Sequence, residues 1–511
     1  SDELYYEHSD TGERVIYTEA NISYDRTFGH HNVNGMVLYN MRNRMIATAG
    51  SAIASIPYRN QAIAARFGYG YKERYLAEVN GSYTGSENFA PGSTRFGVFP
   101  SFSAGWVLSE ENFMKNLNWD WLSFLKIRAT WGALGNERIG DFPYMSTIAF
   151  GNTIFYQNNG IYFDQTASQQ KYAIENVTWE KTESTDIGLD ISFLNNRLRV
   201  NGDYYWKNTK DMLLAMAIPD FLGFSDPDVN AGKMSTKGYE LNVSWNDHIG
   251  DFSYGIAINF SDFTSKMGDL QGTQFLGDKV KMEGSEFNEW YGYVSDGLFL
   301  TEEDLKNSPK INDKNTQLGD IKYKDISGPD GVPDGKISPE YDRVLLGSSL
   351  PHFLYGGNIN LGYKNFDLSL AFQGVGKQNA RLAREMVEPF RNNYGNFPAI
   401  IDGNYWSPYN TDEQNAVAKY PRLTHVNKSS NYAMSDYWLF NGGYFRLKNI
   451  TLGYTFPKEW MNAIGIKGAR IYASASDLFC LSKYPKGWDP EMGVSEYPIT
   501  TSILLGVSVN F

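Results

Sequence analysis

Residues 186–206 read DIGLDISFLNNRLRVNGDYYW, which is two alternating runs joined by a short turn. The first run has an apolar side chain at every second position from Ile187 to Phe193. The second has Leu198, Val200, Tyr204 and Trp206 in the same relation to polar neighbours, and the pair Asn195-Asn196 between the runs favours a turn. Because successive side chains point to opposite faces of a strand, the stretch predicts a β-hairpin with one apolar and one polar face.

The same period of two recurs along the chain. Alternating runs cover 239–245, 252–260, 355–363, 366–372 and 503–511. We count about fifteen strands and about seven short turns from this pattern. The last strand ends on Phe511, which resembles the terminal signal that the barrel-assembly machinery reads.

Three features favour a membrane barrel over a soluble sandwich. The polar face carries Asp, Asn, Ser and Gly, which suits a water-filled interior. Short turns such as Tyr71 to Tyr75, Leu194 to Arg197 and Tyr363 to Phe366 alternate with long connections at about 136–180, 263–350 and 377–441. Aromatic residues cluster on the apolar face beside the short turns, as in an interfacial girdle, at Phe193, Trp245, Phe252, Tyr363 and Phe366. The predicted fold is therefore all-β: a transmembrane antiparallel β-barrel with long extracellular loops.

Composition excludes several classes of protein. The net charge of -12 and the absence of a basic stripe argue against nucleic-acid binding. No apolar run is long enough for a transmembrane helix. The single cysteine, Cys480, cannot form an intrachain disulfide, and the 6 histidines show no metal-ligand spacing. We therefore expect no catalytic site, and we do not predict an enzyme.

Several separate segments resemble the SusC/RagA family of TonB-dependent transporters from Bacteroidetes, and the resemblance covers essentially the whole chain. The segments that carry it are Tyr75–Asn80, Gly85–Ala90, Phe96–Trp106, Leu125–Gly132, Gly135-Asn136, Trp179–Gly188, Tyr444–Pro457 and Trp488–Glu491.

The resemblance implies an integral outer-membrane protein that contacts lipid and, when complete, has 22 strands. Residues 1–511 would be the C-terminal part of its barrel, with the plug, the TonB box and the N-terminal domain outside this sequence. Ser1-Asp2-Glu3-Leu4 is consistent with such an internal start. The implied partners are TonB and a SusD-like surface lipoprotein, in a dimer of transporter–lipoprotein pairs.

The resemblance also implies a function, which is active import of oligosaccharides, with peptides as the alternative ligand. Two alternative hypotheses, from other functional classes of protein, stay open. A passive porin would lack the plug and the TonB box. A surface adhesin or an enzyme on a β-sandwich would be soluble without detergent.

Aromatic clusters in the long loops are the candidate substrate-binding residues, because flat rings stack on the apolar faces of sugars. The candidates are Trp290 and Tyr291 in one cluster and Tyr405, Trp406 and Tyr409 in a second, and a third cluster is Tyr437, Trp438 and Phe440. The alternative is that these rings pack the loops together.

The segment 319–337 is the candidate metal site. Its carboxylates and glycines suit Ca²⁺ in an extracellular loop, with Asp325, Ser327, Asp330 and Asp334 as ligands. Pro329 interrupts the EF-hand spacing, and the alternative is a solvated turn. No cofactor is required.

Charged residues on the polar face include Asp190, Arg199, Asp203 and Glu240. Pairing across neighbouring strands, or hydrogen bonding to the plug, explains them better than a role along the transport path.

Overall fold

The computed structural model describes residues 12–46, 53–92, 94–138, 142–157, 160–169, 172–216, 221, 223–224, 227–270, 272–312, 314–391, 395–492 and 496–511. Ser1 to Leu4 lie outside them. The chain divides into two compact units. The first unit contains Ser1–Asn196, Asn201–Tyr239 and Met267–Gly272. The second unit contains Arg197–Val200, Glu240–Lys266 and Thr273–Phe511.

The first unit consists mainly of long antiparallel strands. Its strands are β1 (Glu13–Phe28), β2 (His31–Ile46), β3 (Tyr58–Tyr71), β4 (Tyr75–Ser86), β5 (Phe96–Val107), β6 (Leu122–Asn136), β7 (Ile148–Gln157), β8 (Gly160–Gln169), β9 (Glu180–Phe193) and most of β10 (Leu198–Ala215). Strand β11 (Asp228–Ile249) has residues in both units.

The second unit contains long strands and several short ones. Its strands are β12 (Phe252–Met267), β13 (Gln274–Leu276), β14 (Lys279–Lys281), β15 (Glu289–Tyr293), β16 (Ser295–Leu298), β17 (Ile321–Tyr323), β18 (Arg343–Leu345), β19 (His352–Tyr363), β20 (Phe366–Lys377), β21 (Asn379–Arg381), β22 (Leu439–Asn441), β23 (Tyr444–Thr455), β24 (Gly468–Ser482) and β25 (Ser502–Asn510).

Helices are few and short. The α-helices are α1 (Asn112–Lys115), α2 (Glu302–Asn307), α3 (Arg384–Val387), α4 (Asp412–Ala416), α5 (Lys428–Asn431) and α6 (Lys458–Ala463), and 3-10 turns cover Leu108–Glu110, Ala399–Ile401 and Asp436–Trp438. Within the described ranges, no helix has the length and apolar character that crossing a bilayer requires.

Fifteen strands form one antiparallel sheet, which confirms the number that the alternation predicts. Their order is β1-β2-β3-β4-β5-β6-β9-β10-β11-β12-β19-β20-β23-β24-β25. Neighbours in this sheet are also neighbours in sequence, apart from the small strands between them, so the sheet is a meander of hairpins.

The short turns are where the sequence predicts them. Strand β9 ends at Phe193, β10 begins at Leu198, and Leu194, Asn195 and Asn196 between them have φ of 54°, 57° and 64°. Asparagine tolerates this left-handed region better than most residues, because its short polar side chain bonds to nearby backbone. The turn residue Lys364 also has a positive φ, of 51°.

The long connections contain more regular structure than the sequence predicts. Strands β7 and β8 pair as a hairpin within 136–180, and β13, β14, β15 and β18 form a four-stranded sheet within 263–350. Most of the strands in these connections have three to five residues, which is too short for a period of two to be recognised.

Candidate functional site

The apolar face of the first unit has a continuous band of exposed apolar side chains. Ile22 of β1 is paired in register with Val37 of β2. Phe67 of β3 is paired with Val79 of β4, which is paired with Phe102 of β5. These five residues are between 45% and 80% exposed. A soluble surface rarely presents so continuous an apolar area, whereas a surface that faces lipid requires it.

Aromatic rows border this face at the short turns of both units. In the first unit, Tyr71 is paired with Tyr75, and Tyr75 with Trp106. Their ring centroids are 6.5 Å and 6.4 Å apart, and both pairs are stacked. Such rows suit the membrane–water interface, where an aromatic ring has one apolar and one hydrated side.

The second unit has an equivalent row across four strands. Phe252 is paired with Tyr363, Tyr363 with Phe366, and Phe366 with Tyr454. The Phe366 and Tyr454 rings are 4.7 Å apart, and Tyr363 and Phe366 are each 53% exposed. Three of the five predicted girdle residues therefore lie side by side.

The other face of the sheet is polar, and Arg128 forms ion pairs there. Arg128 of β6 donates from Nη2 to Asp203 Oδ2 of β10 at 2.9 Å and from Nε to Asp190 Oδ2 of β9 at 3.2 Å. Asn201 donates to the other oxygen of Asp190 at 2.8 Å. The predicted pairing across neighbouring strands is therefore confirmed for Asp190, with a partner that the sequence did not identify, whereas Asp203 is paired with the same arginine across the intervening strand β9.

A second group of elements, which we call the loop assembly, is formed by the connections 263–350 and 377–441 of the second unit. Its apolar core contains buried side chains from both connections, which are Tyr293, Leu298, Ile321, Tyr323, Ile337, Met386, Val387, Ile401, Trp406, Tyr432 and Trp438. Burial raises the pKa of the Tyr323 and Tyr432 phenols. Loops with a core of this size are ordered by their own packing.

Asp320 is the main polar group of the loop assembly and is fully buried. Its two oxygens accept from Arg422 Nε at 2.7 Å and Nη2 at 3.1 Å, and from Asn427 Nδ2 and Asn431 Nδ2 at 2.9 Å each. The backbone N–H of Gln317 donates a further bond at 2.9 Å. This network satisfies the buried charge, which would otherwise be costly, and it joins the two connections.

The first predicted aromatic pair lies on β15. Trp290 is half-buried and donates from its indole N–H to the backbone oxygen of Asn379 at 2.6 Å, with the Lys279 ammonium 4.6 Å from its ring centroid. Tyr291 is only 9% exposed, and the Arg343 guanidinium lies 5.0 Å from its ring centroid.

The second predicted cluster divides into a buried and an exposed part. Trp406 is 9% exposed and packs on Gly319, where an added Cβ would be 2.3 Å from the indole ring. Tyr405 is half-buried, with its ring 6.1 Å from that of Phe397. Tyr409 is 97% exposed. Of the third cluster, Trp438 is in the core of the loop assembly.

The predicted metal-binding loop is organised by a residue outside the predicted set. Asp342 is fully buried and accepts from the backbone N–H groups of Ile326 at 2.8 Å, Ser327 at 3.2 Å and Ser338 at 2.7 Å. No motif in the sequence marks Asp342, because the backbone groups that donate to it are brought together only when the loop folds.

The predicted metal ligands themselves are only partly arranged for a cation. Gly335 N–H donates to Asp325 Oδ2 at 2.6 Å, while Asp325 Oδ1 is buried and has no hydrogen-bond partner among the described residues. Asp330 and Asp334 are exposed. Within the described part of the chain, no group of three or more His, Cys, Asp or Glu side chains is placed to hold a metal.

A pocket of about 410 Å³ opens beside Trp290 in the loop assembly. Its charged and aromatic lining includes Lys279, Arg381, Arg384, Glu385 and Tyr484. The sequence identified only Trp290 as a candidate here. The other lining residues lie up to about two hundred positions from it along the chain, so no local motif connects them.

Comparison with known proteins agrees with this geometry. The family model described as TonB dependent receptor-like, beta-barrel matches residues 4–478. TonB-dependent receptor P3 of Formosa agariphila is 28% identical over 522 residues, covering 93% of this chain and 48% of that protein. TonB-dependent receptor SusC of Bacteroides thetaiotaomicron is 30% identical over 465 residues, covering 87% and 43% respectively. The chain spans about half the length of the curated relatives it matches.

Among solved structures, the chain is similar to one described as the RagAB peptide transporter. The TM-score is 0.76 at 20% sequence identity, and the match covers 98% of this chain and 57% of the other. At that identity the likeness is one of fold. The family match, the amphipathic sheet and its aromatic rows agree, and we conclude that the chain belongs to the TonB-dependent receptor-like β-barrel family, whose members are outer-membrane proteins.

Proposed function

We propose that the protein containing this chain imports nutrient oligomers across the outer membrane by a TonB-dependent mechanism. The observation that carries the proposal is the fifteen-stranded sheet, with an apolar face bordered by aromatic rows and a polar face that contains ion pairs, in a chain of the TonB-dependent receptor family. The remainder of the protein would supply a plug and a TonB box, within a complete barrel of 22 strands. Residues 1–511 would be the C-terminal part of that barrel.

A polar concavity supports the presence of a plug. On the polar face of the first unit a cavity of about 920 Å³ has in its lining Lys72, Arg74, Glu78 and Lys126, together with Arg128. A plug domain with complementary polar groups would fit such a wall. The paired carboxylates around Arg128 would then serve packing of the interior rather than transfer of the ligand.

Oligosaccharides are the proposed ligand class, and peptides are the second. The exposed ring of Tyr409 and the half-buried rings of Trp290 and Tyr405 support stacking on sugars. Tyr291 and Trp406, which are buried, would hold those rings in place. Peptide import is supported by the similarity of fold to the RagAB peptide transporter.

The proposed partners are TonB and a SusD-like lipoprotein, in a dimer of transporter–lipoprotein pairs. We propose no bond chemistry for this assembly, since its work is movement of a ligand through a gated path. Mass spectrometry of the complex purified in detergent from native membranes tests the partners. We expect the lipoprotein and plug peptides of the same protein; a barrel recovered without either would favour a passive porin or a structural barrel.

Uptake by cells tests the mechanism directly. Cells with and without the gene, and cells lacking TonB, would be grown on defined oligosaccharides or peptides as sole carbon source. Import that disappears in both deletions supports the proposal. Growth that needs the gene but is unaffected by loss of TonB would contradict active transport and favour a porin.

We retain Ca²⁺ at the loop with Asp325, Ser327, Asp330 and Asp334 as a proposal. Its support is the buried Asp325 Oδ1, which accepts no hydrogen bond from the residues that the structure describes, together with the carbonyl groups of a glycine-rich loop. We expect millimolar Ca²⁺ to protect this loop from hydrogen exchange, and Asp325→Asn to abolish the protection. Equal exchange with Ca²⁺ and with a chelator would reject the site.

A further inference from the structure

The pocket beside Trp290 contains more positive than negative charge. Lys279, Arg381 and Arg384 line it, against one carboxylate, Glu385. Glu385 is paired with Arg391. Arg384 donates from Nε to Glu388 Oε2 at 2.7 Å. Arg384 shares this carboxylate with Lys428, whose Nζ lies 3.2 Å from Glu388 Oε1, so the lining keeps an excess of positive charge.

Lys279 is the uncompensated cation. Among the described residues its ammonium has no acidic partner, and it lies over the face of the Trp290 ring, 4.6 Å from the centroid. Burial lowers the pKa of Lys279, and no neighbouring carboxylate opposes that shift. An ammonium held over an indole is fixed in position without being neutralised, which prepares it to bind an anion.

Arg381 adds a second donor. Its guanidinium pairs with Asp278 and donates from Nη2 to the backbone oxygen of Tyr432 at 3.3 Å. Its Nε is buried and has no hydrogen-bond partner among the described residues. A buried N–H of a charged group that lacks an acceptor is costly, and a bound anion would supply that acceptor.

We propose that this pocket is a subsite for a carboxylate of the transported ligand, bound by Lys279 and Arg381 beside the indole of Trp290. The inference rests on the proposed import function and narrows its ligand class to acidic oligomers. Two sources share this chemistry. One is the uronate of an acidic oligosaccharide, and the other is the C-terminal carboxylate of a peptide.

Binding to the full-length transporter, purified in detergent from its native membrane, tests the proposal. Calorimetry would compare trigalacturonate with neutral maltotriose, and tetra-alanine with tetra-alanine amide, at low ionic strength because salt screens such contacts. Lys279→Gln removes the ammonium. Lys281→Gln is the matched control, since it removes the same charge two positions along β14 and lies outside the pocket lining.

We expect one acidic probe to bind more tightly than its neutral partner. Lys279→Gln should weaken that probe about tenfold or more, as loss of a charged hydrogen bond does, and Lys279→Arg should restore it. Lys281→Gln should bind as the wild type does. The acidic probe that responds identifies the source of the carboxylate.

Two kinds of result overturn the proposal. In the wild type, these are equal affinity for the acidic and neutral members of both probe pairs, or no binding by any probe. In the variants, they are an unchanged affinity in Lys279→Gln, or the same loss of affinity in Lys279→Gln and Lys281→Gln. Because these measurements need no energy coupling, a failure here with TonB-dependent uptake intact would reject the subsite and leave the proposed function standing.

Discussion

Arg446 is buried and forms an ion pair with the partly buried Asp489, which joins two of the segments by which the chain resembles its family. Arg446 Nη2 lies 2.6 Å and 2.5 Å from the two oxygens of Asp489, and Nε donates to Glu491 at 2.8 Å. The arginine side chain is 3% exposed. Strand β23 supplies the guanidinium and the segment after β24 supplies the carboxylates, so the pair holds that segment against the sheet.

Removing this arginine should destabilise the protein strongly. Arg446→Gln leaves the partly buried Asp489 without its cation and Glu491 with only Lys448, 3.9 Å away, and we expect a loss of about 3–5 kcal/mol in the free energy of unfolding. Urea unfolding of the full-length protein in detergent measures it. Arg470→Gln is the control, because the Arg470–Asp367 pair is 33% and 44% exposed and should contribute about 1 kcal/mol or less. Equal losses in the two variants would contradict the assigned difference in burial.

A positive charge should cost more on one face of β4 than on the other. Val79 lies in the exposed apolar band, while Glu78 lines the polar cavity. Val79→Arg places a guanidinium toward lipid and should cost about 2–4 kcal/mol, according to its depth in the membrane. Glu78→Arg should cost much less. The shift of the heat-modifiable band on gels measures assembly, and a greater defect in Glu78→Arg would mean that the faces are reversed.

Substitution of Trp406 should destabilise the loop assembly far more than substitution of Tyr409, because only Trp406 is buried. Trp406→Ala removes a core side chain of the loop assembly and should destabilise that assembly by about 3–5 kcal/mol. Tyr409→Ala, at a side chain that is 97% exposed, should change stability by less than about 0.5 kcal/mol. Hydrogen exchange of the 263–350 and 377–441 segments distinguishes them. Loosened loops in Tyr409→Ala would show that its exposed ring packs against something in the complete protein.

The loop assembly should lose stability at alkaline pH. Tyr323 and Tyr432 are 4% and 6% exposed, and burial raises the pKa of both phenols above the ordinary value of about 10. Below that value both the folded and the unfolded states keep these protons, so the two phenols add no pH dependence to stability. Above it the unfolded state releases protons that the folded state retains, and stability falls as pH rises.

Ultraviolet absorbance of tyrosinate, followed with hydrogen exchange of the loops, measures this effect. Ionisation of the buried phenols should coincide with loss of protection, whereas exposed tyrosines should titrate earlier. Tyr323→Phe should make the loss of stability less steep, and Tyr409→Phe should leave it unchanged. Early titration of every tyrosine with the loops still protected would contradict the burial.

The amino-acid sequence by itself determined the sheet. Alternation and turn residues are local properties, since a period of two is visible within a few residues and Asn195-Asn196 favours a turn wherever it lies. This is why the strand number, the short turns and most of the aromatic girdle could be predicted. The short strands β13 to β18 could not, because three to five residues give no measurable period.

Only the tertiary structure decided which loop residues meet. Arg381 and Asp278 are 103 positions apart, and Arg422 and Asp320 are 102 apart, so their pairing depends on how the connections fold together. The same holds for Trp406 and Tyr409, which look alike as candidates in the sequence but differ completely in exposure. Composition places aromatic and charged residues in these loops, but packing decides which of them support the assembly and which, like Trp290 and Lys279, line a pocket open to a ligand.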